Sequence, residues 1–390
     1  MPTSSIPSAS DSTSSGGTPA QNAGAIHTQI ARETEAFLSA VESDLQQWFA
    51  EQEEAAIRID PAAQDLVAAI AALSTGGKRT RAQLLYWGWR AAGGPPTSVI
   101  PVQAAAGLEL FQTAALIHDD VVDRSDTRRS MPSVHKRMEH LHVTHGWEQD
   151  PAHFGVSSAI LIGDLALTWS EQLFGRALAE AGHPSAAAAD FNLMRTQVMI
   201  GQYLDVHAEV AAANLPADQA HHRALNVLRY KSAKYSAEHP VALGVLLAQG
   251  QEATESAVEG FRSFALALGE AYQIRDDILG IFGDPQTTGK PAGDDLREGK
   301  RTVVIAVHLE RATAEQAAAV LDVLGEPDCT EAHILAARQA ITDSGALQAV
   351  EETVDDLTAR AADGINALDL DPVVAQAFHR ILQAAVRRNR

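Results

Sequence analysis

An all-α fold is predicted by three features of this 390-residue chain. Alanine and leucine recur throughout while aromatics stop at 5%, a balance that favours helices over strands. Apolar residues return at spacings of three and four from residue 26 onward. No segment shows the sustained apolar/polar alternation, bounded by hairpin turns, that marks half-buried strands. With 46% hydrophobic and 21% charged residues, the chain can build a sizeable core. No linker or fixed-period repeat divides the helical part, so residues 26–390 are expected to form one large helical bundle.

Residues 1–25 are mostly Ser, Thr, Gly, Ala and Pro, too poor in large apolar side chains to offset their ordering entropy, and are expected to be a disordered tail. That tail lacks a basic start and an apolar stretch, and the first basic residue is Arg32, so a secretory or transit signal is not expected and the location is read as cytoplasmic. The helical period then runs through 27–54, 61–73, 79–92, 98–124, 155–182, 186–210, 216–237 and 254–283. It continues through 301–310, 313–324, 331–343, 345–366 and 371–388. Segments 98–124 and 155–182 are apolar nearly all round, as the central helices of a bundle should be. Gly93-Gly94-Pro95-Pro96 and Gly283-Asp284-Pro285 mark loops. Residues 140–153 read as a surface insertion, and its His140, His142 and His145 as solvated side chains rather than metal ligands.

Charge and cysteine usage exclude several functions. The net charge of −20 argues against a nucleic-acid binder and against attraction to anionic membranes. No run approaches 18 apolar residues, so no transmembrane segment is expected. A lone cysteine, Cys329, excludes a disulfide framework and a thiolate zinc cluster.

One central helix ends in Leu116-Ile117-His118-Asp119-Asp120-Val121-Val122-Asp123-Arg124. On a helix Asp119 and Asp123 share a face with Asp120 beside them, at the end where the helix dipole already disfavours negative charge. Such a triplet needs a positive partner, and Mg²⁺ is the hard cation held by a few carboxylates plus phosphate oxygens and water. A second pair, Asp276-Asp277, follows another apolar run and suggests carboxylates facing the first set across a shared metal-diphosphate cluster. His118 either orders a carboxylate or packs.

Complementary cations are present. Gly76-Gly77-Lys78-Arg79-Thr80-Arg81 opens a helix, where backbone N–H groups favour an anion, though its spacing is not that of a nucleotide P-loop. Arg128 and Arg129 follow the first acidic cluster, and Lys231, Lys234, Lys290 and Lys300 bracket the second. In so acidic a chain this placement points to anionic substrates. The terminal Arg387, Arg388 and Arg390 read as a frayed basic helix end.

At these residues the sequence resembles the trans-isoprenyl diphosphate synthase (polyprenyl synthetase) family, from about Gly76 to Thr302. Asp119-Asp120-Val121-Val122-Asp123 is similar to the family's first aspartate-rich motif, and Asp276-Asp277, preceded by Gln273, to its second. Gly201-Gln202, Lys231-Ser232 and the segment from Thr288-Gly289-Lys290 to Gly299-Lys300 complete the set. The resemblance implies a helical bundle around a central cavity, a homodimer, and condensation of isopentenyl diphosphate with an allylic diphosphate (dimethylallyl, geranyl or farnesyl). It further implies that Asp119, Asp123 and Asp276 hold three Mg²⁺ ions, with Asp120 and Asp277 in the same metal-binding motifs. Arg128, Lys231, Lys290 and Lys300 would meet the allylic diphosphate, with Ser232 and Gln273 as polar contacts. Lys78, Arg81, Gln112 and Arg129 would bind isopentenyl diphosphate.

Departures from the family pattern are Gly280, where many members carry a third Asp, Ser130 and Ser232 in place of glycine and threonine, and Gln112 in place of histidine. Chain length is read from the helix leading to Asp119. Ala115 and Ala114, four and five residues before it, stand where bulky aromatics in the family go with stopping at farnesyl diphosphate. Phe111, about 12 Å deeper and on nearly the same face, would act as a floor, which favours geranylgeranyl diphosphate with longer chains as the alternative. A terpene cyclase would need no second diphosphate site, and an inactive regulatory subunit would lack the acidic motifs.

Overall fold

The computed structural model describes residues 19–129, 131–211, 217–283, 293–326 and 328–387. Helix α1 spans Pro19–Ile59, so residues 19–25, expected in the tail, form its first turns. Residues 1–18 lie outside the described residues. Helices α2 (Gln64–Ser74), α3 (Thr80–Ala91) and α4 (Val99–Val122) follow. Helix α4 starts where Ser98 Oγ accepts from the Ile100 amide, and it carries the first acidic motif at its other end.

Two two-residue strands, β1 (Thr127–Arg128) and β2 (Met131–Pro132), pair antiparallel just after that motif. This hairpin was not expected, being too short to show any alternation. Next comes α5 (Val134–His145), which corrects the reading of 140–153 as an insertion. Val134, Met138 and His142, spaced by four, are buried, and His142 bonds the Glu148 carbonyl at 2.9 Å beside Trp147 and Phe154. The long α6 (Pro151–Glu180) begins with Asp150 capping the Ala152 amide and Pro151 in the first turn.

Helix α7 (Ser185–Ala211) precedes a continuous rod made of α8 (Ala220–Val227), a π-helical segment Leu228–Glu238, and α9 (His239–Gln249). Helix α10 (Glu255–Phe282) bears the second acidic pair, and α11 (Asp294–Arg297) is a single turn. The chain closes with α12 (Val303–Arg311), α13 (Ala314–Leu321), α14 (Glu331–Asp343), α15 (Ala346–Ala367) and α16 (Pro372–Val386).

Helix α4 packs along α6, α10 against α15 and the π segment, and α3 against α9. Burial of α4 on nearly every side explains why its sequence is apolar all round. By length and composition alone, α4 and α6 would suffice to cross a membrane. The most apolar stretch of α4 is 67% buried within the protein, the state of a core helix, whereas that of α6 is only 39% buried. Helix α6 presents Val156, Ile160 and Leu161 outward, and α7 presents Leu193, Met199, Ile200 and Tyr203.

Candidate active site

The helices surround a cavity of about 820 Å³ whose polar lining falls into two groups. At one end lie Asp119 on α4, Gln202 and Asp205 on α7, Lys231 and Ser232 on the π segment, Gln273, Asp276 and Asp277 on α10, and Asp295 and Lys300 beyond it. At the other lie Lys78, Arg79 and Arg81 from the glycine-rich loop and α3, with Gln112, Arg129 and Tyr235.

The π segment is a local consequence of close packing. A Cβ at Gly201 on α7 would sit 2.3 Å from the Lys231 amide nitrogen, and one at Gly269 on α10 would sit 2.4 Å from the Ala233 carbonyl oxygen. Both neighbouring helices therefore press backbone to backbone on the turn that carries Lys231 and Ser232. The wider π turn lets Lys231 and Tyr235 reach the cavity while Ser236 accepts from Arg81 at 2.7 Å.

On the α4 wall each carboxylate meets a cation. Asp119 accepts from Gln202 at 3.1 Å and pairs with Lys231 at 3.4 Å and Arg128 at 3.3 Å. Burial opposes its charge, yet Lys231, Lys300 and Arg128 hold the carboxyl down at about 2. Asp123, which caps the end of α4, pairs with Lys300 at 3.2 Å. Here burial wins, reinforced by Asp119, and the Asp123 carboxyl is pushed up despite Lys300. Asp120 is fully buried and faces Arg128, which donates to it from Nε at 2.8 Å and from Nη2 at 2.5 Å. Asp120 thus orients Arg128 toward the cavity rather than facing it itself. Lys231 also binds Asp205, and burial of its ammonium is more than offset by Asp119 and Asp205.

On the α10 wall Gln273 donates to Asp277 at 3.1 Å. Burial, followed by the neighbouring Asp295, pushes the Asp277 carboxyl well above the usual range. Lys300 reaches Asp123 on α4 at 3.2 Å and Glu298, just after α11, at 2.5 Å. Among the described residues no three His, Cys, Asp or Glu side chains close on one point. Asp119 on α4 and Asp276 and Asp277 on α10 instead line the same cavity, and the described lining contains no thiolate or imidazole. Oxygen donors that leave coordination positions open fit Mg²⁺, which keeps waters and takes up substrate phosphate oxygens.

At the basic end Arg79, the N-cap of α3, has left-handed backbone and offers α3 no side-chain cap. Its guanidinium turns back to bind Glu109 and Glu42, both at 2.8 Å, and so anchors the loop. Arg129 donates to the carbonyls of Leu73 and Thr75, both at 3.1 Å, and lies against Gly77. The Arg81 guanidinium sits 4.3 Å over the Tyr235 ring. Tyr235 in turn donates to Gln112 Oε1 at 2.7 Å, which leaves the Gln112 amide N–H groups to serve the cavity.

Of the other expected residues, Lys290 and Ser130 lie outside the described residues. Lys234 turns inward to Glu238 at 2.5 Å. His118 faces α6, contacting the Ile160 carbonyl at 3.2 Å and Asp164 at 3.5 Å. Ala115 lines the cavity, whereas Ala114 is fully buried in the core and Phe111 is buried behind Tyr235 at 6.0 Å between ring centroids. Helix geometry accounts for this. Relative to Asp119, Ala115 is rotated by about 40°, Phe111 by about 80° and Ala114 by about 140°. Tyr235, Asp205, Asp295 and Arg301 also line the cavity and were not anticipated. A usable signal existed only for Tyr235, four residues after Lys231. Arg387, expected as a frayed end, lines the cavity too, and Arg388 and Arg390 lie outside the described residues.

An all-helical shell that brings two aspartate-rich helix ends face to face across a cation-lined cavity defines an enzyme that handles prenyl diphosphates. The chain belongs to the polyprenyl synthetase family, whose model matches residues 64–341. It is a transferase that makes a polyprenyl diphosphate. It is similar to the geranylgeranyl diphosphate synthase of Mycobacterium tuberculosis, with 31% identity over 77% of this chain and 79% of that one. The geranylfarnesyl diphosphate synthase of Aeropyrum pernix is 29% identical over 75% of this chain and 83% of its own. Among solved structures, a geranylgeranyl pyrophosphate synthase from Corynebacterium glutamicum, complexed with isoprenyl diphosphate and magnesium, matches with a TM-score of 0.83. It is 35% identical and is covered over 99% of its length by 90% of this chain.

Proposed function

We propose that the enzyme condenses isopentenyl diphosphate with dimethylallyl, geranyl or farnesyl diphosphate and releases geranylgeranyl diphosphate as its main product. One observation carries this reading: two carboxylate walls and a separate basic group line one cavity of about 820 Å³, as a reaction between two diphosphates requires. Asp119, Asp123 and Asp276 are assigned to three Mg²⁺ ions, with Asp277 beside them and Asp120 holding Arg128. When bound, Mg²⁺ supplies positive charge to the leaving diphosphate. Lys231, Arg128 and Lys300 add donors to that diphosphate, and Ser232 and Gln273 fix its orientation. Lys290 is assigned to the same group by its motif. Lys78, Arg81, Gln112 and Arg129 hold the second diphosphate. The allylic C–O bond breaks with its electrons on the diphosphate, the isopentenyl double bond supplies the pair for the new C–C bond, and a proton leaves to restore a double bond. Leu116, Val198, Val227 and Leu228 keep water from the carbocation.

The small Ala115 leaves the α4 wall open one turn below Asp119, which favours a product longer than farnesyl diphosphate. Relatives named geranylfarnesyl diphosphate synthases keep a longer product as the second reading. The outward apolar row on α6 and α7 supports a homodimer. A cytoplasmic location suits the charged substrates.

Chromatography of dephosphorylated products from isopentenyl diphosphate with each allylic starter tests the assignment. Geranylgeraniol is expected from all three, and Ala115→Phe should shorten the product to farnesol. A wild-type enzyme that stops at farnesol, or an Ala115→Phe variant with unchanged products, would refute the chain-length model. Failure to consume isopentenyl diphosphate would refute the condensation itself.

A further inference from the structure

We propose that His239, Asp190 and Arg262 are positioning residues: a buried polar chain through them holds the π segment in register and so aims Lys231 and Tyr235 into the cavity. The kinetic side of this rests on the assignment of Lys231 to the allylic diphosphate.

The chain of contacts surrounds the junction of the π segment with α9, and its members are outside the cavity lining. Lys234 reaches Glu238 at 2.5 Å within the segment. Glu238 continues to Arg262 of α10 at 3.6 Å, and Arg262 donates to Asp190 of α7 at 2.8 Å. Asp190 Oδ2 lies 3.1 Å from His239 Nδ1, and His239 Nε2 lies 3.0 Å from Oε1 of Gln197, also on α7. The last residue of the π segment and the first of α9 are thus tied to α10 and to α7 at once. His239 is 1% exposed and Asp190 3%. Burial opposes the charge of Asp190, yet His239 and Arg262 hold its carboxyl below its usual range.

Charges buried this deeply cost more free energy than apolar packing of the same volume, and their best-supported use is to fix a register. This junction has a register to fix. The His239 amide closes the segment by donating to the Lys234 carbonyl, five residues back, and Pro240 follows it. In a straight α-helix that proline would clash with the carbonyl four residues back, so the chain widens near it, but sterics alone do not choose the residue. Rewinding the π turn as α-helix would rotate the residues before it by about 100° relative to α9. Lys231 and Tyr235 would then leave the cavity together. With them would go the Ser236 contact to Arg81 and the Tyr235 bond to Gln112, both 2.7 Å long. One segment therefore serves both ends of the cavity, and the chain through His239 holds that segment.

The test combines steady-state kinetics with hydrogen exchange of the full-length protein. His239→Leu and Arg262→Met should each raise KM for the allylic substrate and for isopentenyl diphosphate together, by about fivefold or more, with circular dichroism unchanged. Lys231→Ala, the control, should raise only the first. A role in stability alone would lower the melting temperature and leave both KM values at the wild-type level. Amide exchange over residues 228–240 should quicken in both network variants, while exchange over α5 stays unchanged. His239→Asn, whose amide nitrogen can stand in for Nδ1 toward Asp190, should restore most of the loss in both readouts. Wild-type KM values, or unchanged exchange over 228–240, in either folded variant overturn the inference. Should His239→Leu fail to fold, Arg262→Met, which cuts the link to α10 and leaves His239 on Asp190, decides alone. If Lys231→Ala leaves the allylic KM unchanged, the assignment of Lys231 falls, and the exchange readout decides the role of the network.

Discussion

On the α4 wall Asp119 rests among Lys231, Arg128 and Lys300, and its carboxyl stays ionised down to about 2. On the α10 wall Asp277 rests beside Asp295 and Asp276, with a neutral amide from Gln273, and its carboxyl is pushed far up. The same residue type is therefore held in opposite conditions on two sides of one cavity. The α4 wall carries its own countercharges, and a metal-bound diphosphate must take Lys231 and Lys300 over from it. On the α10 wall burial, Asp295 and Asp276 raise the Asp277 carboxyl against the pull of Lys300, so an incoming cation favours its ionised form. A site built this way favours metal and diphosphate arriving together, because each relieves the wall that the other does not.

The largest effects should come from removing one carboxylate from each wall. Asp119→Ala and Asp276→Ala should each reduce turnover by about 10³-fold or more in steady-state assays. Their stabilities should diverge. Asp119→Ala leaves Lys231 with Asp205 and Arg128 with Asp120 but takes one partner from each, and should cost about 1–3 kcal/mol in denaturant unfolding without metal. Asp276→Ala takes away a charge that repels Asp277 and should cost less. Equal destabilisation by the two would break the contrast between the walls.

A second, smaller effect separates the acidic end from the basic one. Lys231→Ala should raise KM for the allylic substrate by about 10- to 100-fold and change KM for isopentenyl diphosphate little. Arg81→Ala should do the reverse, since its partners in the protein are Ser236 and the Tyr235 ring rather than carboxylates. Equal shifts in both KM values for both variants would mean that the cavity does not divide its substrates by end.

How much of this was legible in the sequence follows from what each feature depends on. The acidic pairs and the glycine-rich basic loop are local patterns, and the chain brings them to one cavity as their spacing implied. Helix α9 escaped because every apolar side chain from Val241 to Leu247 is at most 2% exposed, so it has no polar face to reveal a period. The π turn just before it also shifts the phase. Asp295 escaped because its place in the cavity, against Gly280, comes from the tertiary fold, which no local spacing encodes. Ala114 and Phe111 were placed on the channel by counting residues, whereas the angle about the helix axis puts Ala115 and Gln112 there instead.

The smallest effect concerns a gradient within the α4 wall itself. Beyond Asp123, Glu209 on α7 is pushed up to about 7 by burial, then by Asp205 and Asp123, against the pull of Lys231 and Lys300. Its ordinary value is 4.5, so between about pH 4.5 and 7 the folded protein keeps a proton that the unfolded chain has released. A raised carboxyl of this kind makes stability fall as pH rises through that window and level off above it. Glu209→Gln cannot ionise and should lack this component. In metal-free buffer, the melting temperature of the wild type relative to Glu209→Gln should therefore drop by about 2–4 °C from pH 5 to pH 7. Saturating Mg²⁺ and pyrophosphate neutralise Asp123, one source of the shift, and should flatten that difference. Parallel melting curves for the two proteins without metal would mean that Glu209 is ionised throughout, and that the α4 wall is as well supplied with countercharge at Asp123 as it is at Asp119.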